Sequence, residues 1–237
     1  MSIRSLILAL ATGCTLSAAT PTYVRIWTQY VEVPHSNLNG WLNGGRQSGN
    51  QIHAEAVKLA KEGGARIIET NMVVCRCGQK AAIESIGEEI YPTDYEPPQL
   101  PGSFSGPSAG FPVSNTLPEL RPNTPSAFET RNTGVTLEVE PTIGDNDSII
   151  DLRLASEIVT LLRLETWMEH VDQWGDASFR MPVFETWRSN TALSLIAGRF
   201  ELASVITPIA KAPSPLIPKR ILLFVRADLV PLPLTEP

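Results

Sequence analysis

The run Gly134-Val135-Thr136-Leu137-Glu138-Val139-Glu140-Pro141 alternates apolar and polar side chains. Successive side chains of a strand point to opposite faces, so this pattern calls for a half-buried β-strand. An amphipathic helix would repeat its apolar residues about every 3.6 positions instead. Residues 24–33 alternate over much of their length, and Pro34 ends that run. After a turn at Gly144-Asp145-Asn146-Asp147, Ile149-Ile150-Asp151-Leu152-Arg153-Leu154 alternates again, and an apolar-rich run to Leu164 continues it or pairs with it. Twenty Pro and sixteen Gly in 237 residues imply many turns, which favours a β-rich fold over a helical bundle.

Other segments fill in the frame. Residues 35–50, rich in Asn, Gly and Ser, read as a loop. Residues 51–62 predict a short helix with Ile52, Ala56, Leu59 and Ala60 on one face and Gly63-Gly64 as its stop. Two strands are expected at 65–76 and 80–91, joined by a turn at Cys77-Gly78-Gln79. Residues 92–127 carry Pro, Gly and Ser with little periodicity and read as a long insertion. Residues 165–182 read as a polar loop, 183–187 and 191–206 as strands with a bend near Gly198, and 208–218 as a Pro-rich link. The apolar run 219–230 suits a central strand. The expected fold class is mainly β with one short α-helix, in a single domain spanning residues 20–237.

Residues 1–19 read as an export signal. Arg4 is the basic start, Leu6-Ile7-Leu8-Ala9-Leu10-Ala11 is too short for a membrane span, and Ser17-Ala18-Ala19 offers a cleavage site before Thr20. A second reading is a lipoprotein box at Leu10-Ala11-Thr12-Gly13-Cys14, with Cys14 as the lipidated residue. The other two cysteines, Cys75 and Cys77, are two apart on an expected strand and so share a face. A disulfide between them would be strained, and C-x-C alone lacks the four ligands zinc takes.

The chemistry of an enzyme is not laid out. The sequence holds no H-E-x-x-H and no P-loop. Glu169-His170-Val171-Asp172 sets two carboxylates beside a histidine, but no nucleophile or metal partner is spaced with them. No catalytic residue, cofactor or metal is expected. A net charge of −6 with no basic block argues against nucleic acid. Trp167, Trp174, Phe179, Phe184 and Trp187 cluster in one stretch. They fit either an aromatic girdle of a membrane barrel or a loop anchored by buried rings.

The order of these elements resembles the secretin domain of type II and type III secretion systems and of type IV pilus channels. Tyr30-Val31-Glu32-Val33 is similar to that domain's opening strand, and Ala65-Arg66-Ile67-Ile68-Glu69-Thr70 leading to Gly78-Gln79-Lys80-Ala81-Ala82-Ile83 is similar to the segment that follows. The most specific part is the strand similar to the family's Gly-Val-x-Leu-x-Val-x-Pro, which puts Gly134, Val135, Leu137, Val139 and Pro141 at motif positions. Ile221-Leu222-Leu223-Phe224-Val225 resembles the closing strand. The chain departs where family members carry Gly-Gly-Leu, having a single Gly198 before Arg199-Phe200-Glu201, and its Ala212–Pro218 stretch is short. The export signal leads straight into the first strand, so the ring-forming modules of full secretins are not expected.

The resemblance implies a non-enzymatic subunit that pairs with copies of itself into a double-walled β-barrel for protein secretion. Its setting would be the outer membrane or periplasm of a Gram-negative type bacterium. Outer membrane lipid and secretion-system or envelope proteins would be its partners. Residues 92–127 would then occupy the place of the gate hairpin, or form an insertion without a role. The departures leave open a different function: a periplasmic or lipid-anchored β-domain that binds an envelope partner and forms no pore.

Overall fold

The structure is a computed structural model, which describes residues 23–44, 48–96, 124–144, 148–169, 171–172, 175–176, 178–209 and 218–230. In chain order the elements are β1 (Tyr23–Pro34), α1 (His35–Asn43), α2 (Gly49–Lys61), β2 (Arg66–Arg76), β3 (Ala81–Glu96), β4 (Thr124–Ile143), β5 (Ile149–Met168), β6 (Val171–Asp172), β7 (Gly175–Asp176), β8 (Phe179–Ile196), β9 (Phe200–Ile206) and β10 (Lys219–Val230). They form two four-stranded antiparallel sheets, ordered β2-β1-β10-β9 (sheet A) and β3-β4-β5-β8 (sheet B), plus the short β6–β7 ribbon.

The alternating residues build the layers. Val24, Ile26 and Tyr30 of β1, with Ile221, Leu223, Val225 and Ala227 of β10, face sheet B. They meet Val135, Leu137 and Val139 of β4 and Ile150, Leu152, Leu154 and Ile158 of β5. The opposite face of sheet A packs Val31, Val33, Leu222 and Phe224 against Leu38 of α1 and Ile52 and Ala56 of α2. Strand β10 is therefore covered on both sides, which is why its sequence is apolar at consecutive positions. One polar link crosses the main core: the Tyr30 hydroxyl donates to Ser156 Oγ at 2.6 Å. Burial pushes the Tyr30 phenol above its ordinary pKa, and the Ser156 bond only partly offsets this.

Several expectations are corrected. Among the described residues there are two helices, since α1 occupies most of the expected loop at 35–50; burial of Leu38 and the half-buried Trp41 against sheet A outweighs its Asn/Gly content. Helix α2 begins earlier than expected, at Gly49, behind a capping box of Ser48 and Gln51. Cys77 lies in the turn after β2, where a turn at Cys77-Gly78-Gln79 is expected, so it does not share a strand face with Cys75. Its Sγ accepts from Ile143 N at 3.3 Å, whereas Cys75 is buried and its thiol pKa is raised by that burial and by Cys77. The insertion at 92–127 is shortened at both ends, because β3 and β4 stay paired from Pro92↔Phe128 to Glu96↔Thr124. The polar loop at 165–182 shrinks likewise, because β5 and β8 pair out to Met168↔Phe179. The expected strands at 183–187 and 191–206 become one long β8 and a separate β9, divided by a turn at Gly198, where φ is +81°. The export signal with Cys14, residues 97–123, residues 145–147, His170, Trp174 and residues 210–217 lie outside the described residues.

Candidate assembly surface

Sheet B has long open edges. Among the described residues, no strand pairs with the outer side of β3 or of β8. Its neighbours all run antiparallel, so in a four-stranded sheet β3 and β8 point in opposite directions. An edge of one copy can thus take the other edge of a second copy without breaking the antiparallel pattern. Each edge carries one proline in its distal half, Pro92 in β3 and Pro182 in β8, where an edge strand tolerates the missing N–H. Residues 81–91 and 183–196 are free of proline. The edges of sheet A, β2 and β9, also run oppositely, but β9 is short, and Asn50 Oδ1 of α2 accepts from Phe200 N at 3.3 Å.

The motif residues position the split of sheet B. Val135, Leu137 and Val139 are buried in the core, and Pro141 is buried beside them. The Pro141 carbonyl accepts from Gly78 N at 2.8 Å, beyond the last β3 partner of β4 at Val139, so the missing proline N–H interrupts no β3–β4 pairing. Gly134 is the last β4 residue that pairs with both neighbours, Ile86 on β3 and Val159 on β5. Its φ is +118°, a conformation that disfavours side chains, and an added Cβ would collide with the Ser85 carbonyl and lie 3.1 Å from Ile86 Cα. Past this point the β3–β4 and β5–β8 hairpins continue as separate pairs.

The separated hairpins touch again through side chains. Arg131 lies over the Phe184 ring at 5.0 Å and reaches Thr186 Oγ1 at 3.4 Å. Tyr91 meets Phe184 at 5.7 Å and Tyr95 meets Phe179 edge-on at 4.3 Å between centroids. Glu185 and Trp187 are buried on one face of β8, so Phe184 and Thr186 lie on the other. The β3–β4 hairpin therefore lies over the outer face of β8.

The exposed side chains of sheet B change from charged to apolar along its length. Near the core the outer face is a ladder of cross-strand pairs: Lys80–Glu138 at 2.6 Å, Arg153–Glu140 at 3.5 Å and Arg188–Glu157 at 2.8 Å, with Ser194 bonded to Asp151. Glu157 raises the Arg188 pKa by hydrogen bond and charge. Beyond Gly134 the hairpins expose Ile90 (68%), Phe128 and Leu164, with Trp167 (70%) and Met168 at the far end. Among the described residues of the aromatic cluster, Trp187 is core, Phe179 and Phe184 join the hairpins, and Trp167 is largely exposed.

Sequence reasoning missed the seat of α2. His53 stacks on Phe200 at 3.7 Å, meets Phe224 edge-on at 5.0 Å, and contacts Gln29 Oε1 through Nε2 at 2.8 Å. Burial, aided by the Arg226 charge, lowers its pKa from 6.5 to about 4. At neutral pH the ring is uncharged, so Nε2 carries the proton and donates to Gln29. The partners lie on β1, β9 and β10, far from His53 in sequence, and no local motif marks them. Among the described residues no cluster of His, Cys, Asp and Glu could hold a metal, and no helix is long and apolar enough to cross a membrane.

No protein-family model and no curated protein matches the chain. Among solved structures it is similar to the InvG secretin domain β-barrel of the Salmonella SPI-1 injectisome, at 12% identity and TM-score 0.42 over 92% of this chain and 65% of that one. It is also similar to the type II secretin GspD of enteropathogenic Escherichia coli (12%, TM-score 0.43, 90% of this chain and 70% of that one). A third similar structure is ExeD of Aeromonas hydrophila (14%, TM-score 0.41, 89% and 49%). The chain thus spans just under two thirds of the first of these and about half of the third.

Proposed function

We propose that this chain is a secretin-like subunit that joins copies of itself, β3 of one to β8 of the next, into a channel wall for protein secretion in the outer membrane. The observation that carries this reading is the pair of long, oppositely directed, unpartnered edges of sheet B. A lone sheet with such edges is prone to pairing, and closure into a barrel removes every edge. The hairpins beyond Gly134 support the membrane part. Residues 124–133 span about 33 Å at ~3.3 Å per residue, comparable with the roughly 9–11 residues of a tilted membrane strand. Their exposed Ile90, Phe128 and Leu164 would face lipid, and the ion-pair ladder nearer the core would stay in water. The export signal at residues 1–19, or lipidation at Cys14, would deliver the chain to the envelope.

Extraction of the full chain from membranes in mild detergent, followed by mass measurement, tests the reading. A heat-resistant ring of many copies is expected. A monomer released by salt alone would refute it and support the pore-free alternative, a periplasmic or lipid-anchored domain that binds an envelope partner. The short β9 edge favours that alternative, because it offers little backbone for a second wall.

A further inference from the structure

We propose that Tyr91, Tyr95 and Arg131 on one hairpin and Phe179, Phe184 and Thr186 on the other form an exchangeable clasp, closed within a free protomer and re-made between neighbouring copies on assembly. The inference rests on the edge-to-edge reading of sheet B. Strands β3 and β8 are its two outer strands, separated by β4 and β5. Nothing in the backbone pairing brings them together, yet their distal halves meet through two ring pairs, to which Arg131 of β4 adds a cation over the Phe184 ring and a hydrogen bond to Thr186. A protomer in this state has its own β3 lying over the outer face of its own β8, next to the open edge a neighbour's β3 must pair with.

Gly134 supplies the means of release. Below it, β4 is held on both sides, by Ser85 and Ile86 of β3 and by Ile158 and Val159 of β5. Above it, the contacts seen among the described residues between the hairpin and β8 run through side chains. Its positive φ puts a sharp change of direction where the double pairing ends. Rotation there lifts the β3–β4 hairpin without breaking a core contact of Val135, Leu137 or Val139. Because β3 and β8 run in opposite directions, a neighbour's β3 presents the same rings to β8 that the protomer's own β3 presented. The exchange trades ring contacts within one copy for contacts between the same residues of neighbouring copies, as in a domain swap. The clasp therefore crowds the adhesive edge of a lone copy at little final cost to the assembly.

Cysteine pairs test this in the full chain, with Cys77→Ser to remove the half-exposed thiol. The double variant Tyr95→Cys/Phe179→Cys, treated with a short thiol cross-linker before assembly, is expected to link within one chain. Its assembly should fall by at least about tenfold and recover when a cleavable linker is cut. Tyr95→Cys and Phe179→Cys made in separate chains and mixed are expected to link to each other only in the assembled fraction, at those positions by peptide mapping. Cross-linked protomers that assemble as well as untreated ones would overturn the clasp while leaving edge pairing intact. Rings in which the mixed chains never link would also overturn it. Failure of the untreated chain to assemble at all would sink the edge-pairing reading, and the clasp with it. Tyr91→Ala/Phe184→Ala, which changes only residues of the hairpins, is expected to assemble faster but yield rings that fall apart at lower temperature; unchanged kinetics would count against the clasp.

Discussion

Replacing Tyr30 by Phe removes one oxygen from the middle of the core, where the two sheets face each other. The Tyr30 side chain is fully buried and Ser156 is 1% exposed, so water cannot take the place of the lost donor. Leaving a buried polar group without its partner costs about 1–3 kcal/mol. Ser156→Ala leaves the Tyr30 hydroxyl stranded instead, at a similar cost. The double variant strands neither group, so its loss should be well below the sum of the two, with a coupling of about 1–2 kcal/mol. With a urea dependence of about 2–3 kcal/mol per molar, each single variant moves the unfolding midpoint down by roughly 0.3–1.5 M. Tryptophan fluorescence during a urea titration reads this. The phenol also predicts a pH effect. Its folded pKa lies above the unfolded value near 10, so stability is level below pH 10 and falls as pH rises from there through the folded pKa. Tyr30→Phe should abolish that alkaline fall. Single variants with unchanged midpoints, or a double variant equal to the sum of the two, would refute the claim that this bond ties the sheets together.

His53 predicts an effect at the acid end. Its folded pKa near 4 against 6.5 unfolded means stability is complete above pH 6.5 and is lost as pH falls through 4, by at most about 3 kcal/mol; urea midpoints at pH 7, 5 and 4 measure this, and His53→Gln should lessen the fall. Gly134→Ala forces a side chain into φ +118° against the Ser85 carbonyl; the backbone part alone costs about 1–3 kcal/mol, visible as a lower thermal midpoint. Gly49→Ala places a Cβ 2.6 Å from Glu201 Cα, where α2 begins against β9; a loss of about 1–3 kcal/mol and faster proteolysis between α2 and β2 are expected.

The strands whose sides see different surroundings were readable from sequence. Strand β4 near Gly134 has core on one face and water on the other, and its alternation says so directly; β10 has core on both, and its unbroken apolar run says that too. The distal hairpins were not readable, because neither face is consistently buried there and the pairing is carried by backbone, which leaves no periodic trace in residues such as Glu88-Glu89-Ile90-Tyr91-Pro92. Helix α1 was missed because its Asn and Gly content argues for a loop, and only the sheet under Leu38 decides otherwise. The resemblance singled out Gly134 by position, but its meaning as the point where pairing divides comes from a dihedral angle that a sequence does not display.

The opposite directions of β3 and β8 bear on how many copies could share one assembly. Every copy would add four strands, so any closed wall would contain an even number and meet itself antiparallel whatever the count. Nothing in that register selects one ring size over the next. Size would instead follow from the small angle through which each sheet turns, set by its twist and by the bulges near Leu161 and Thr166. Substitutions at those irregularities would alter the diameter of the lumen while leaving each subunit folded as before.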